Sequence, residues 1–442
     1  MIKENDIIDV KIIDTGCNLE GIAKVDGVVL FVPYAIAGET VKVQVINTKQ
    51  KAYICKVLEI IEPSEHRVEP RCPYFKKCGG CQVQHVSYPK QLALKTRLVE
   101  CALNNIGKLD VKVEPCVACD RPYEYRNKLA FPFNPISGKL GMFRNNSHNI
   151  VDIDDCSIQE PWASDLIKIV NTWVEKHNIS VYDEEKNSGL LKHLVARCVN
   201  GQSLFTFVIN GKTLPHSDDL VSQLSEKFDN FGLNININTK KSNAILTFDY
   251  KHIAGIKSIK CEENGIKYEI TNASFLQVNN DIKSKIYDEV LKEIEGEIVI
   301  DAYSGAGLLS AMISRKAERV YGIEIVPDAT KSADELCKTN GIKNLTNICG
   351  DTSVELPKIT KGLKSFSLVL DPPRKGCDAK VIETILKTKP RKIVHVSCNP
   401  STLARDLSGL KAMYDVQKIT PYDMFPETCH VETLAVLKLK QF

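Results

Sequence analysis

The chain contains no apolar run that approaches the roughly 20 residues of a membrane-spanning helix, so no membrane segment is predicted. Its first residues carry acids where a signal peptide carries bases and a long apolar stretch. An excess of charge of one sign is also missing. Because the net charge is only +3, any contact with nucleic acid must depend on local patches and not on a broad basic field. We therefore expect a soluble, cytoplasmic protein with no membrane partner.

Length, apolar residues and cysteine are what the chain does have. With 442 residues, of which 43% are hydrophobic and 26% charged, it is expected to be globular and to contain two or three domains. Sixteen cysteines without a secretory signal are expected to be free, catalytic or metal-bound. Most of them stand alone in apolar surroundings and are interpreted as core residues. Examples are Cys55, Cys198, Cys261 and Cys337.

Residues 1–62 consist of short alternating segments separated by glycine and proline, which predicts a small β-barrel. Basic and aromatic side chains beside these strands fit nucleic-acid binding and an ordinary solubilising surface equally well. They are Lys42, Lys49, Lys51, Lys56 and Tyr53. Residues 63–260 predict a central α+β domain, in which the helical spacing over 90–115 indicates a segment that packs with the domain that follows.

A cysteine motif of the form C-x5-C-G-G-C opens the central domain with Cys72, Cys78 and Cys81. Glycines between closely spaced thiols let the backbone turn tightly enough to aim the sulfurs at one centre. Cys156 is the best candidate for a fourth ligand, and the C-V-A-C pair at 116–119 is a weaker rival. Sulfur ligands admit either zinc or an iron–sulfur cluster.

Residues 261–442 alternate between apolar strands and helices, which predicts a doubly wound, Rossmann-like and mainly parallel sheet. A glycine turn after the first strand and an acid closing the second are typical of an adenosine-binding domain. The residues at these strand ends are Asp301, Gly305, Gly307, Glu324 and Asp351.

The nature of the cofactor follows from charge. The turn lacks the third glycine of the dinucleotide fingerprint, and a carboxylate at Asp301 would repel a pyrophosphate. The same carboxylate is favourable beside the sulfonium of S-adenosylmethionine. Glu324 can accept both ribose hydroxyls, and Asp351 is placed to meet the adenine amino group. The pattern favours S-adenosylmethionine over NAD.

Asn399 and Pro400 end a buried strand abruptly and leave Cys398 at its mouth, where α/β sheets present their chemistry. A cysteine alone is as compatible with a small buried hydrophobe. In a methyltransferase, however, a thiol suits a target that is not nucleophilic by itself, such as carbon 5 of a pyrimidine. Thiolate addition at carbon 6 would make carbon 5 able to attack the methyl group, and Glu432 is a candidate base for the proton that must then leave.

Further side chains suit a pyrimidine. Asp371, before two prolines, can anchor a base edge, Phe275 offers an aromatic wall, and Gln277 can read the donor and acceptor pattern of uracil. Arg374 and Lys375 suit a phosphate or solvent equally and are left outside the catalytic set.

Four motifs carry a resemblance: V-S-C-N-P with M-F-P-x-T-x-H-V-E, D-P-P-R-K-G, the cysteine set, and F-x-Q with D-x-x-S-G-x-G. On these the chain resembles the RNA (uracil-5-)-methyltransferase family, and specifically its 23S ribosomal RNA branch. The resemblance implies Cys398 as nucleophile and Glu432 as general base. It implies contacts with S-adenosylmethionine or the target base for Gln277, Tyr303, Glu324 and Asp371. It also implies a [4Fe–4S] cluster on Cys72, Cys78, Cys81 and Cys156, with zinc still chemically allowed.

By the same resemblance the barrel is similar to a TRAM domain, an RNA-binding module that is expected to be absent from the tRNA-modifying branch. The expected partner is 23S ribosomal RNA with a flipped-out uridine, bound by a monomer that does not act on DNA. The alternatives are a tRNA uridine-5 methyltransferase, a cytosine-5 methyltransferase and a non-catalytic, cluster-carrying RNA-binding protein. The cluster is expected to hold the central domain in shape and to help present the RNA-facing surface.

Overall fold

The computed structural model describes residues 2–47, 52–272, 274–294 and 296–441. Lys49 and Lys51 of the predicted basic face lie outside these residues. Within them, no helix is both long enough and apolar enough to cross a membrane.

The N-terminal part of the chain forms a six-stranded sheet in the order β1-β5-β6-β4-β3-β2. Its strands are β1 (Ile7–Lys11), β2 (Asp14–Thr15), β3 (Gly21–Val25), β4 (Val28–Val32), β5 (Thr40–Asn47) and β6 (Ala52–Glu62). The period-two pattern of β5 sends Val41, Val43 and Val45 into a shared core. Lys42 points outward and pairs with Glu59 across the sheet.

The central part is a five-stranded sheet in the order β13-β12-β11-β10-β7, in which only β11 and β12 run parallel. Its elements are α1 (Tyr88–Ala102), β7 (Lys128–Pro132), the hairpin β8 (Gly141–Phe143) and β9 (Ile150–Asp152), α2 (Trp162–Lys176), β10 (Leu191–Val199), β11 (Gln202–Ile209), α3 (Ser217–Ser225), β12 (Asn230–Ile237) and β13 (Tyr250–Gly255). Trp173 of α2 is fully buried against this sheet beside Phe207.

Helix α1 does not belong to the core of that sheet. It continues into a π-helical turn, Leu103–Gly107, and Val99, Ala102 and Leu103 pack in the same core as the strands of the C-terminal sheet. The helix therefore joins the cysteine segment that precedes it to the C-terminal domain.

After the hairpin of β14 (Ile259–Glu263) and β15 (Ile266–Ile270), the chain forms a seven-stranded sheet in the order β18-β17-β16-β19-β20-β22-β21. Its elements are α4 (Asn280–Glu293), β16 (Ile298–Ala302), α5 (Leu308–Ile313), β17 (Arg319–Glu324), α6 (Pro327–Asn340), β18 (Leu345–Cys349), α7 (Thr352–Ile359), β19 (Ser367–Leu370), α8 (Ala379–Thr388), β20 (Lys392–Ser397), α9 (Pro400–Leu410), β21 (Tyr414–Tyr422) and β22 (Glu432–Leu439). Strands β16 to β20 are parallel, which confirms the predicted Rossmann-like sheet.

Strand β22 runs antiparallel to both of its neighbours, and this places its first residue, Glu432, at the edge of the sheet where the parallel strands end. Ser397 of β20 pairs with Thr433 of β22, so Cys398 and Glu432 are the next residues on two adjacent strands. The parallel strands end at the same edge with Asp301, Glu324 and Asp371.

Candidate active site

Cys398 lies one residue beyond β20 and is partly buried. The side chain of Asn399 caps α9 by accepting a hydrogen bond from the Ser401 N–H at 3.0 Å, which ends the strand and turns the chain at the thiol. Burial, together with the negative charge of Glu432, raises the pKa of Cys398 to about 11, and Arg374 opposes this rise. The predicted nucleophile and the predicted base therefore share one electrostatic environment.

Two carboxyls act on this thiol, those of the buried Glu432 and the partly buried Asp371. Burial, and then the charge of Asp371, raise the pKa of Glu432 well above its ordinary value, while Arg374 lowers it. Burial raises the pKa of Asp371 to about 6, and the charge of His395 opposes that rise. A carboxyl whose pKa approaches neutrality is a better proton acceptor than an exposed one.

Cys398 opens on a cavity of about 550 Å³ whose wall comes from three parts of the chain. The barrel contributes the turn at residues 14–19, α1 contributes Arg97, and the C-terminal domain contributes Arg374 and His430. Arg97 forms an ion pair with Asp14 at 2.6 Å, which ties the barrel to α1 at the rim. A cavity of this size at the thiol can admit a base that has left its stack.

The predicted cofactor turn has the geometry that its glycines require. Gly305 and Gly307 have φ values of +56° and +80°, and a Cβ on Gly307 would lie 2.7 Å from the Cβ of Ala333. One carboxylate oxygen of Glu324 accepts the N–H of Gly305 at 2.9 Å, and the other accepts the N–H of Val326 at 2.8 Å. Each oxygen keeps a free lone pair, as the predicted ribose contact needs.

The remaining acids of this edge differ in their surroundings. Asp301 is buried and accepts a hydrogen bond from Ser310; burial raises its pKa to about 7, to which the charges of Asp371 and Glu324 add and which the Ser310 bond opposes. Asp351 is exposed and caps α7 by accepting the Ser353 N–H at 2.8 Å. Tyr303, which lies between Asp301 and Asp351 in the sequence, has a left-handed φ of +72°.

The F-x-Q segment lies between the central and the C-terminal sheets. The backbone carbonyl of Gln277 accepts a hydrogen bond from the Asn127 side chain at 3.1 Å, and that of Ser274 accepts one from Arg197 at 3.1 Å. Phe275 is 72% exposed, so its ring belongs to no core and is available to a ligand.

The comparisons with known proteins agree with this geometry. The family model described as tRNA (Uracil-5-)-methyltransferase matches residues 90–440, and the TRAM domain model matches residues 3–53. The chain belongs to the RNA (uracil-5-)-methyltransferase family. Its fold is that of an S-adenosylmethionine-dependent methyltransferase, preceded by a TRAM domain.

Whole-length relatives support the assignment. An uncharacterised RNA methyltransferase of Clostridium tetani is 40% identical over 446 residues, covering 99% of this chain and 97% of its own. A relative from Bacillus cereus, also described as an RNA methyltransferase, is 37% identical over 449 residues, covering 99% and 98%. The chain is therefore an RNA methyltransferase.

A solved structure corrects one expectation. The tRNA (uracil-54, C5)-methyltransferase of Pyrococcus abyssi, in complex with S-adenosyl-L-homocysteine, is similar with a TM-score of 0.78 and 25% identity, covering 97% of this chain and 99% of its own. Because 97% of this chain is matched, the match includes most of the N-terminal barrel. The expectation that tRNA-modifying members lack such a barrel is wrong, and the barrel does not distinguish the two RNA classes.

The four cysteines predicted to bind metal do come together in this methyltransferase. Cys72, Cys78, Cys81 and Cys156 line one cavity of about 180 Å³. The rival residues, Cys116 and Cys119, are buried in the two cores of the C-terminal domain and do not line it.

A buried network beneath the D-P-P-R-K-G segment was not predicted. Asp406 accepts the Cys377 N–H at 2.8 Å and pairs with Arg405, while His395 Nδ1 donates to the Val396 carbonyl at 3.0 Å. Burial lowers the pKa of His395, but Asp406 and Cys377 raise it to about 10. The resulting hydrogen bonds fix the end of the segment that carries Arg374.

Arg374 is the main functional candidate that sequence reasoning left out. It lines the cavity of Cys398, and its charge lowers the pKa of both Cys398 and Glu432. The signal was present in the D-P-P-R motif, but an exposed arginine has no distinguishing mark in sequence.

Proposed function

We propose that this protein methylates carbon 5 of a uridine in 23S ribosomal RNA through a transient bond between Cys398 and carbon 6. The observation that carries the proposal is the meeting of Cys398, Glu432, Asp371 and Arg374 at one edge of the sheet, beside a cavity large enough for a base. Cys398 and Glu432 come from the paired V-S-C-N-P and M-F-P-x-T-x-H-V-E segments, and Asp371 and Arg374 come from D-P-P-R-K-G.

The steps follow from these groups. The Cys398 sulfur adds to carbon 6 of the uracil, and the electron pair of the 5,6 double bond moves into an enolate. Carbon 5 then takes the methyl group that S-adenosylmethionine supplies as an electrophile, which releases S-adenosylhomocysteine. Glu432 removes the proton from carbon 5, the 5,6 double bond re-forms, and the carbon–sulfur bond breaks to return the thiolate.

The other residues orient the two substrates. Glu324 is assigned to the ribose of S-adenosylmethionine and Asp351 to its adenine, while Asp301, Tyr303, Gly305 and Gly307 shape the turn between them. Phe275, Gln277 and Asp371 are assigned to the uracil. Arg374 stabilises the Cys398 thiolate, both when it attacks carbon 6 and when it is released from the product.

We propose a [4Fe–4S] cluster on Cys72, Cys78, Cys81 and Cys156. Two thiolates that share one zinc, each about 2.3 Å from it, stand no more than about 4.6 Å apart. Within the described residues, three ligand atoms lie within 4.8 Å of one another at Cys377, His395 and Asp406, and not in this cysteine set. Sulfur atoms that stand farther apart around one cavity fit a polynuclear centre, such as an iron–sulfur cluster, better than a single zinc ion. The reaction needs no redox step, so we assign the cluster a structural role.

A tRNA uridine is the second candidate substrate, because the Pyrococcus abyssi enzyme whose structure is similar acts on tRNA. We also propose that the protein works in the cytoplasm as a monomer on RNA alone. The proposed domains are residues 1–62, 63–260 and 261–442, with α1 packed on the last.

The deciding experiment maps 5-methyluridine in ribosomal and transfer RNA from cells with and without this gene. Loss of one modified position in 23S ribosomal RNA is expected, and complementation with Cys398→Ala should fail to restore it. Loss of a tRNA position instead would assign the second candidate. An unchanged map in both RNAs would reject uridine methylation.

The covalent step has its own test. RNA that contains 5-fluorouridine cannot lose a proton from carbon 5, so it should trap a denaturation-resistant complex with the wild-type protein. On natural RNA, Glu432→Gln should accumulate the same kind of complex and turn over about 10² to 10⁴ times more slowly. Trapping by Cys398→Ala would contradict the assignment.

A further inference from the structure

The segment between β21 and β22, residues 423–431, ends directly at Glu432 and is called the base loop here. Four consecutive backbone carbonyls of this loop accept hydrogen bonds from groups outside it. The Asn279 side chain donates to Met424 at 3.3 Å, Lys95 Nζ to Phe425 at 3.0 Å, the Tyr125 hydroxyl to Pro426 at 3.1 Å, and the N–H groups of Gln82 and Val83 to Glu427 at 3.1 and 3.2 Å. The loop thus owes its shape to the segments that surround it.

Gln82 connects this loop to the cysteine motif. It directly follows Cys81 in the chain, and its Nε2 donates to the carbonyl of Gly79, between Cys78 and Gly80, at 2.9 Å. Its Oε1 accepts the N–H of Cys429 at 3.3 Å. One side chain therefore holds the turn of the cysteine motif and the base loop three residues before Glu432.

Gln91 holds the same loop from α1. Its Oε1 accepts the Glu427 N–H at 3.2 Å, and its Nε2 donates to the Glu427 carboxylate at 3.0 Å and to the Val86 carbonyl at 2.9 Å. Gln91 and Glu427 are each only 1% exposed. Glu427 has a φ of +67°, a conformation that a residue with a long side chain keeps only when its surroundings impose it.

We propose that Gln82 and Gln91 are positioning residues for the general base, which goes beyond, and rests on, the proposed uridine methylation. A carboxylate must lie within hydrogen-bond reach of the proton that it removes. By fixing Glu427 and Cys429, the two glutamines set where β22 begins and so where the Glu432 carboxylate stands relative to carbon 5 of the adduct. Neither glutamine lines the cavity of Cys398.

The inference predicts which step suffers. Addition of Cys398 and transfer of the methyl group do not use the base. Breaking the carbon 5–hydrogen bond does use the base, because Glu432 takes the proton. The electron pair of that bond re-forms the 5,6 double bond, and the carbon–sulfur bond breaks to release the Cys398 thiolate. Misplaced by about 1 Å, a catalytic group can lose as much as about 10²-fold in rate.

The experiment compares Gln82→Ala and Gln91→Ala with the full-length wild-type protein and with a matched control, Gln202→Ala. Gln202 makes the same kind of contact with another segment: it accepts a hydrogen bond from the Lys260 N–H at 3.1 Å and donates one to the Lys260 carbonyl at 2.9 Å. Neither residue belongs to the base loop. On natural RNA, both test variants should accumulate covalent complex and release product about 10 to 100 times more slowly. On 5-fluorouridine RNA they should trap complex at the wild-type rate, and RNA affinity should change less than about twofold. The control should match the wild type throughout.

Product release at the wild-type rate in both variants would overturn the inference, as would slower trapping of 5-fluorouridine RNA that is proportional to the slower release. If one variant is too unstable to purify, the other decides, because the two glutamines reach the loop from different segments. Failure of the wild-type protein itself to trap 5-fluorouridine RNA would instead reject the proposed function.

Discussion

At the scale of single residues, the site places a thiol where its ionisation is difficult. Burial and the charge of Glu432 raise the pKa of Cys398 to about 11, so most of the thiol is protonated at neutral pH. Arg374 is the cation that opposes this rise, and it acts on Glu432 in the same direction. An exposed arginine thus lowers the pKa of a partly buried thiol and of a buried carboxyl.

We predict that Arg374→Ala slows alkylation of Cys398 by iodoacetamide about three- to tenfold at pH 8. Only the thiolate reacts, and losing the neighbouring cation raises the thiol pKa further by up to about one unit. In the wild type the rate should keep rising with pH towards about 11, where the thiolate becomes the main form. Peptide mapping by mass spectrometry separates Cys398 from the other cysteines.

Arg374→Lys serves as the control for that measurement, since it keeps the charge and should stay close to the wild type. Raising the salt concentration should narrow the difference between Arg374→Ala and the wild type, because the arginine is exposed and its field is screened. Equal alkylation rates at low salt would show that the arginine does not act on the thiol.

Residue types in motifs predicted Cys398, Glu432 and Asp371 because each stands at a strand end. They did not predict Arg374, since a solvated arginine and a catalytic one look the same in sequence. The network of Cys377, His395 and Asp406 was missed for a related reason. Its members become partners only when β20 and α9 pack against the D-P-P-R-K-G segment.

At the scale of elements, the contact between α1 and the base loop includes a buried ion pair. The side chains of Lys95 and Asp423 are both 0% exposed. Removing one member of such a pair leaves a buried charge without its partner, whereas replacing both with apolar residues often costs little. The pair therefore specifies how α1 docks more than it adds to stability.

We predict that Lys95→Ala lowers the free energy of unfolding by about 3 to 5 kcal/mol, whereas the double variant Lys95→Met with Asp423→Leu recovers most of that loss. Denaturant titration of Lys95→Ala and of the double variant measures both values, and the matched single variants Lys95→Met and Asp423→Leu give the coupling energy of the pair. A double variant that is as unstable as the sum of the two single variants would mean that the pair has no coupling energy.

The cysteine loop gives the second prediction at this scale. Cys78→Ser should prevent assembly of the proposed metal centre, loosen the loop and, through Gln82, slow proton removal, while S-adenosylmethionine still binds. Iron and sulfide content, thermal melting and accumulation of covalent complex on natural RNA are the measurements. Cys198→Ser, at a partly buried cysteine outside the cavity, is the control. Unchanged folding, RNA affinity and turnover in Cys78→Ser would exclude a structural role for the centre.

At the scale of the whole molecule, one buried acid of the barrel binds the segment that follows the barrel. Glu39 is fully buried and accepts hydrogen bonds from the Arg67 guanidinium at 2.5 and 2.6 Å, as well as from the N–H groups of Ile36 and Ser64. Burial raises the pKa of Glu39, but these donors outweigh it and lower the pKa overall. The stabilisation is present above the ordinary glutamate pKa and is lost only as the pH falls through the lowered value.

We predict that Glu39→Ala destabilises the barrel by about 3 kcal/mol and makes residues 62–70 sensitive to protease, because Arg67 loses its partner. Glu59→Ala removes a carboxylate that is 62% exposed and pairs with Lys42, so it should change stability by less than about 1 kcal/mol. Limited proteolysis and melting curves compare the two. Similar behaviour of both variants would show that the buried pair does not anchor the barrel.

The parallel sheet from residue 261 onward was predictable because its central strands β16, β19 and β20 are short, largely apolar and buried segments. The contacts around the base loop were not, since Gln91 and Glu427 stand 336 residues apart, Gln91 lies in none of the motifs, and Glu427 is an unspecified position of M-F-P-x-T-x-H-V-E. Sequence patterns describe what a segment does locally. They carry no information on which distant carbonyl a buried glutamine will satisfy.

The four clasped carbonyls of the base loop also bear on how members of this family can be recombined. A C-terminal domain transplanted from one homologue onto the front half of another would bring its own base loop. The carbonyl donors at positions 82, 83, 95 and 125, and the partner of the Glu427 side chain at position 91, would come from the other homologue. The exchangeable unit is therefore discontinuous: the cysteine motif, the first long helix and the loop before the last strand must travel together. Chimeras that are cut at the linear boundary near residue 261 would separate them.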